Sequence, residues 1–171
     1  MLTLVSGGAA SGKSEYAESL LSDTTHEKIY IATMQPFGKD SAVKIARHHA
    51  LRAGKGFQTL ERYRNLEELE VPENCAVLLE CMSNLVANEC FSEAGFDNAV
   101  QRILRGIEHI SKSTAEFVVV TNEIFSDGET YDRETAEYIE VLAGVNKELA
   151  SCADRVIEVV CGIPINWKEA V

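Results

Sequence analysis

Several features that would define a class at once are scarce in this 171-residue sequence. No apolar run approaches the roughly 18 residues of a membrane span, and residues 2–5 form a short β-like run without the basic start and long apolar core of a signal peptide. Proline occurs only three times, at Pro36, Pro72 and Pro164. With no linker, internal repeat or low-complexity tract between them, one domain over residues 1–171 is the expectation. The five cysteines, Cys75, Cys81, Cys90, Cys152 and Cys161, are odd in number and contain no Cys-x-x-Cys pair. That pattern speaks against a disulfide framework or structural zinc and for reduced, mostly buried thiols in a cytoplasmic protein. Basic charge is also short. With 16 Lys/Arg against 27 Asp/Glu the net charge is -11, a poor basis for gripping nucleic acid or anionic membrane.

Hydrophobic residues make up 46% of the chain, enough for a sizeable core. Near-continuous apolar, β-branched runs at 2–5, 28–32, 76–79, 117–121 and 156–160 read as strands buried on both faces. Helical patterns fall between them at 13–21, 42–53, 82–91, 98–111 and 133–150, the last with an apolar stripe from Ala136 to Leu149. Strands alternating with helices predict an α/β fold with a mostly parallel sheet flanked by helices. The charge is unevenly spread. Between His26 and Leu66 lie eight basic and three acidic residues, a +5 island, against -16 for the remainder. Such an island suits an anionic ligand; solvated basic surface is the other reading.

The strongest motif is Gly7-Gly8-Ala9-Ala10-Ser11-Gly12-Lys13-Ser14, which fits G-x-x-x-x-G-K-[ST]. Glycines let the backbone wrap closely enough to turn its N–H groups into one concavity, at the positive end of the following helix. Lys13 can reach β/γ-phosphate oxygens and the Ser14 hydroxyl can ligate Mg²⁺. A strand before the motif and a helix after it are the context this loop needs. Glu80, ending the apolar run 76–79, is the candidate acidic partner for Mg²⁺. Asn122 and Glu123 follow another strand and should emerge at the same carboxyl edge, as ligand groups or as caps of the next turn.

Inside the basic island, His48 and Arg52 are i, i+4 neighbours on the expected helix, with Lys44 one turn earlier. Cationic surroundings favour neutral imidazole, the nucleophilic form; an exposed, solubilising pair His48–His49 is the alternative. From residues alone, two readings stand: a P-loop kinase or nucleotidyltransferase for a small molecule, and a non-catalytic nucleotide-binding regulator.

Taken in order, the motifs resemble the bifunctional adenosylcobinamide kinase/adenosylcobinamide-phosphate guanylyltransferase family of cobalamin biosynthesis. The loop at 7–14 is close to its G-G-A-R-S-G-K-S, and Tyr30 to Thr33 matches Y-I-A-T. Residues 45–52 match I-x-x-H-x-x-x-R with His48 in the histidine position, 59–61 match T-x-E, and 78–81 match L-[DE]-C. Residues 120–123 are similar to V-T-N-E, 143–150 to A-G-x-x-N-x-x-L-A, 153–156 to A-D-x-V and 162–164 to G-[IL]-P. Ala10 stands where the family carries arginine, and Glu134, Glu137 and Glu140 stand where it has an arginine-rich helix.

The resemblance implies a RecA-like P-loop NTPase fold assembled as a homotrimer. It implies phosphorylation of adenosylcobinamide by ATP or GTP, then transfer of GMP from GTP through a guanylyl-histidine to the new phosphate. His48 and Lys13 would be catalytic. The nucleotide would be held by Gly7, Gly8, Ala9, Ala10, Ser11, Gly12, Lys13 and Ser14, and by Ala32, Thr33, Met34, His49, Ala50, Leu51, Arg52, Glu61 and Glu80. Ser14 and Glu80 would hold Mg²⁺.

Overall fold

The computed structural model describes residues 1–36, 54–125 and 128–169. Seven strands form one sheet: β1 (Leu2–Ser6), β2 (Lys28–Ala32), β3 (Phe57–Glu61), β4 (Cys75–Glu80), β5 (Thr114–Val120), β6 (Arg155–Val160) and β7 (Ile163–Lys168). Their spatial order is β3-β2-β4-β5-β1-β6-β7. Every neighbouring pair is parallel except β6 with β7. Four helices are described: α1 (Lys13–Ser19), α2 (Met82–Cys90), α3 (Ala99–Ser113) and α4 (Arg133–Cys152). The helix expected over 42–53, and with it His48, His49, Ala50, Leu51 and Arg52, lies outside the described residues. The mostly parallel sheet with flanking helices is the architecture the sequence predicts.

The strands bury both faces because their side chains alternate. Leu4, Ile31, Val77, Leu79 and Val119 point to one side, where they meet Leu85, Ile103, Ile107, Leu142 and Val145 of α2, α3 and α4. Val5, Tyr30, Leu78, Val118 and Val120 point to the other, against Ala17 and Leu21 on and just after α1. This two-sided burial explains the unbroken apolar runs. The α4 stripe settles on Leu142, Val145 and Leu149, and Asp132 caps its start by accepting from the Thr135 amide at 3.0 Å.

Two strands exceed the sequence expectation. β3 is a half-exposed edge strand, FQTLE, without a long apolar run. β7 is exposed along its whole length and carries Pro164, a residue tolerated at a sheet edge. Cys161 (φ 51°) and Gly162 (φ 80°) make the two-residue turn between the paired Val160 and Ile163, both in the left-handed region that a tight hairpin requires. The thiols correct one expectation. All five are free, but only Cys75 and Cys90 are buried; Cys81 is half-buried, and Cys152 and Cys161 are exposed. The last two sit where α4 ends and in the β6–β7 turn, outside both cores.

Candidate active site

β1 is flanked by β5 and β6, so the loop that leaves its carboxyl end emerges inside the sheet, between two parallel neighbours. That loop is residues 7–12, and α1 begins at Lys13. Gly7 is required by close approach, since a Cβ there would lie 2.6 Å from both Ser11 Oγ and the Val159 carbonyl oxygen. Gly12 is required by conformation, with φ +90°.

Three anchors fix how the loop's peptides face. The Glu123 amide donates to the Gly7 carbonyl at 3.0 Å, and the Gly162 amide donates to the Ser11 carbonyl at 2.8 Å. The Gly8 carbonyl accepts from the Ser11 amide at 3.3 Å and from Lys13 Nζ at 3.1 Å. In a planar trans peptide the carbonyl and the following N–H point in opposite directions. Anchoring these carbonyls therefore turns the N–H groups of Gly8, Ala9 and Gly12 away from the anchors. Ser11 Oγ is buried and has no hydrogen-bond partner among the described residues. An orphaned polar atom within such a nest of amides fits a loop that takes an oxygen-rich anion.

Lys13 and Glu80 are both nearly inaccessible, at 9% and 8% exposure. Burial holds the Lys13 ammonium below its ordinary pKa, opposed by the nearby Cys81 and Glu80. Burial pushes the Glu80 carboxyl up, and Glu18 adds to the rise. A hydrogen bond from the Ser14 hydroxyl and the charge of Lys13 work the other way. The sequence pairing of Ser14 with Glu80 is thus met in space. A hydroxyl and a carboxylate, both hard oxygen donors, are the chemistry a Mg²⁺ ion selects.

The other expected nucleotide residues among the described ones, Ala32, Thr33, Met34, Glu61 and Glu80, line the carboxyl edge. In sheet register Ala32 pairs with Glu61 on one side and with Glu80 on the other. The two acids thus flank Ala32 in one row, two strand spacings or roughly 10 Å apart. Glu61 is exposed and accepts from the Tyr63 hydroxyl at 2.7 Å. Thr33 is buried. Its hydroxyl shares its proton between the carbonyls of Glu80 and Cys81, at 2.9 and 3.0 Å. Met34 follows, partly exposed.

Asn122 and Glu123 emerge at this edge as expected and act there as structural groups. Asn122 donates to Ser83 Oγ at 2.8 Å, and Glu123 accepts from the Phe125 amide at 2.9 Å. Thr121 donates to Asn146 at 2.7 Å, joining two stretches that the sequence singled out separately. In the basic island, Lys28 lies over the Phe57 ring, Lys55 pairs with Glu18, and Arg62 pairs with Glu68. Those cations do surface work.

Sequence reasoning missed Asn88 and Gly162 as site-shaping residues. Asn88 donates to the carbonyls of Thr33 and Tyr63, and nothing in a lone helical asparagine signals that. The Cys-Gly pair ahead of an alternating Ile-x-Ile-x-Trp run was the available sign of the hairpin that carries Gly162.

A glycine-rich loop on an interior parallel strand, aimed amides, a buried lysine and a hydroxyl–carboxylate pair define a P-loop nucleotide-binding protein. The model of the family described as cobinamide kinase / cobinamide phosphate guanyltransferase matches residues 3–167. The bifunctional adenosylcobalamin biosynthesis protein CobU of Escherichia coli K12 is 32% identical, over 98% of this chain and all of its own length. CobU of Salmonella typhimurium LT2 is 31% identical over the same share of this chain and all of its own, and Pseudomonas aeruginosa CobP is 26% identical over 98% of both. Among solved structures, a type III secretion system ATPase overlays with TM-score 0.54 at 10% identity, covering 96% of this chain and 57% of its own. A Pyrococcus horikoshii OT3 protein gives 0.51 at 6% identity, over 98% of this chain and 86% of its own. These two overlays speak for the fold alone. The chain belongs to the cobinamide kinase / cobinamide phosphate guanyltransferase family.

Proposed function

We propose that this protein phosphorylates adenosylcobinamide with ATP or GTP and then transfers GMP from GTP to the product, giving adenosylcobinamide-GDP. The observation that carries the reading is the phosphate loop itself. Its anchored peptides, Lys13 and the Ser14–Glu80 pair converge beyond the carboxyl end of β1.

In the kinase step the aminopropanol hydroxyl of the corrinoid attacks the γ-phosphorus, its proton leaves, and the bond to the β-phosphate oxygen breaks. The loop amides and Lys13 hold the nucleotide's phosphates in line and offset charge on the transferring group. In the second step an imidazole nitrogen of His48 attacks the α-phosphorus of GTP, forming a P–N bond while pyrophosphate leaves. An oxygen of adenosylcobinamide phosphate then attacks the same phosphorus and the P–N bond breaks, regenerating imidazole. Two displacements replace one difficult exchange between two anions. Arg52 and the chain at His49, Ala50 and Leu51 serve the nucleotide from the histidine segment, and Ala32, Thr33, Met34, Glu61 and Glu80 serve it from the carboxyl edge. Ser14 and Glu80 would hold Mg²⁺, which when bound neutralises phosphate charge.

Other parts of the reading have their own support. The edge strand β7 exposes Ile163, Ile165 and Trp167, an apolar row suited to assembly as a homotrimer. Among the described residues no helix is long and apolar enough to cross a membrane, and five unpaired cysteines fit a cytoplasmic setting.

Incubation with Mg²⁺ and α-labelled GTP tests the chemistry. Label should become attached, acid-labile and base-stable, in wild type and His49→Ala, and should be absent in His48→Ala. Failure of the wild type to take label, with GTP binding verified, would sink the histidine step. Turnover of adenosylcobinamide with ATP tests the kinase step separately. Nucleotide hydrolysis without corrinoid modification would overturn it.

A further inference from the structure

Asn88 lies on α2, two turns after Cys81, where β4 hands over to the helix. Its side-chain amide has two protons, and each finds a backbone carbonyl beyond a different strand. One goes to Thr33, just after β2, at 2.8 Å; the other goes to Tyr63, just after β3, at 3.1 Å. From those points the network runs on to both acidic residues of the edge row, to the main chain of one and the carboxylate of the other. Thr33 fastens β2 to β4 through the Glu80 and Cys81 carbonyls, and the Tyr63 hydroxyl holds the Glu61 carboxylate. The ends of β2 and β3 thus meet at one side-chain nitrogen, on the helix that follows β4.

We propose that Asn88 is a positioning residue for the nucleotide, setting the relative placement of Thr33 and Glu61 while leaving the phosphate loop, and the Glu80 carboxylate bonded to it, untouched. The inference rests on the assignment of Thr33 and Glu61 to the nucleotide. Its physical basis is the independence of the two halves of the site. The loop is anchored at its carbonyls by the Glu123 and Gly162 amides and by its own Lys13, whereas Asn88 donates to Thr33 and Tyr63. Removing the amide protons leaves two buried or half-buried carbonyls without their donor and lets the ends of β2 and β3 drift apart. The phosphate end of the nucleotide should not sense this, and the nucleoside end should.

Calorimetric titration of the full chain with two probes, GTP and inorganic tripolyphosphate, each with Mg²⁺, separates the halves. Wild type should bind GTP more tightly than tripolyphosphate. Asn88→Ala and Asn88→Asp should weaken GTP by about tenfold, the worth of one or two hydrogen bonds, and change tripolyphosphate by less than about twofold. If neither variant folds, Asn88→Gln, which keeps both donors but displaces them by one methylene, should weaken GTP in the same direction and leave tripolyphosphate unchanged. Variants that retain the full GTP advantage overturn the proposal alone, as does an equal loss of both probes, which would make Asn88 a general packing group. A wild type that shows no preference for GTP and takes no guanylyl label overturns the nucleotide assignments and this proposal with them.

Discussion

The amide of Gly162 donates to the carbonyl of Ser11 at 2.8 Å, so a hairpin at the far edge of the sheet fixes the peptide that aims the Gly12 N–H. The same glycine sits 3.4 Å from where a Gly12 Cβ would stand. The phosphate loop is therefore braced from outside its own segment.

Gly162→Ala should expose that brace. No atom lies within 4 Å of the added methyl, but φ is +80°, so the cost is conformational. Relaxation of the turn would loosen the Ser11 carbonyl, and we expect nucleotide affinity to fall about 3- to 10-fold, the equivalent of one hydrogen bond. Gly12→Ala, with φ +90° and Gly162 in the way, should lose more. Titration with ATP measures both; an unchanged affinity in Gly162→Ala would refute the bracing role.

Glu80→Gln should trade function for stability. Burial raises the Glu80 pKa above its ordinary 4.5, so folding disfavours the ionised form. A carboxyl raised in the folded state stabilises fully below its ordinary value and loses that contribution as pH rises through the raised one. At neutral pH the charge is a cost that glutamine removes. The variant should melt higher than wild type at pH 7, with the gain vanishing near pH 4, while its affinity for Mg²⁺ in the presence of nucleotide falls about 10- to 100-fold. Thermal melts at the two pH values decide; a lower Tm at pH 7 would be the contrary result.

Gly106 and Gly144 both lie in helices, and alanine should act on them differently. At Gly106 of α3 the new Cβ would stand 2.5 Å from Leu66 Cβ and 3.1 Å from the Glu67 amide nitrogen, with backbone on one side and a buried leucine on the other. Overpacking of that kind costs about 1–3 kcal/mol and exceeds the gain of up to about 1 kcal/mol from helix propensity. Gly106→Ala should therefore lower Tm. At Gly144 the nearest atom is a Val100 methyl at 3.2 Å, a side-chain end that can yield. Gly144→Ala should leave Tm within a degree or two of wild type or raise it. Denaturant melts of the pair test the contrast.

Much of this architecture was legible because two-sided burial writes itself into composition. β1, β2, β4, β5 and β6 are apolar on both faces, and each corresponds to an apolar run visible in the sequence. β3 and β7 were not, since an edge strand with one wet side needs neither continuous hydrophobicity nor a proline-free run. The P-loop was legible for a different reason, because its glycines answer to local backbone geometry. Glu80 was visible as the acid that ends an apolar strand, and it accepts a bond from Ser14. The contacts of Asn88 and Gly162 were not legible, because Asn88 reaches Thr33 and Gly162 reaches Ser11 across more than 50 residues of sequence, through approaches made only by the fold. The basic island divided. Lys28, Lys55 and Arg62 engage neighbouring side chains, which is the solvated-surface reading for that part of it.

The Tyr63–Glu61 contact predicts an alkaline signature. A hydrogen bond to the Glu61 carboxylate, reinforced by partial burial and the carboxylate's charge, pushes the Tyr63 hydroxyl up from 10.0 to about 12. The protonated phenol is the form the fold prefers, so its contribution is complete below pH 10 and is lost as pH climbs toward 12. Tyr63 is largely open to solvent, and screening keeps that contribution below about 1 kcal/mol. The measurable effect is optical. Titration of phenolate absorbance should show a tyrosine ionising about two pH units late, and Tyr63→Phe should remove that late step. Because the same hydroxyl steadies Glu61, Tyr63→Phe should also raise the KM for GTP with little change in kcat, and leave tripolyphosphate binding as in wild type. A late step that persists in Tyr63→Phe would assign it to another tyrosine, the half-buried Tyr138, whose pKa is also raised, being the first to examine.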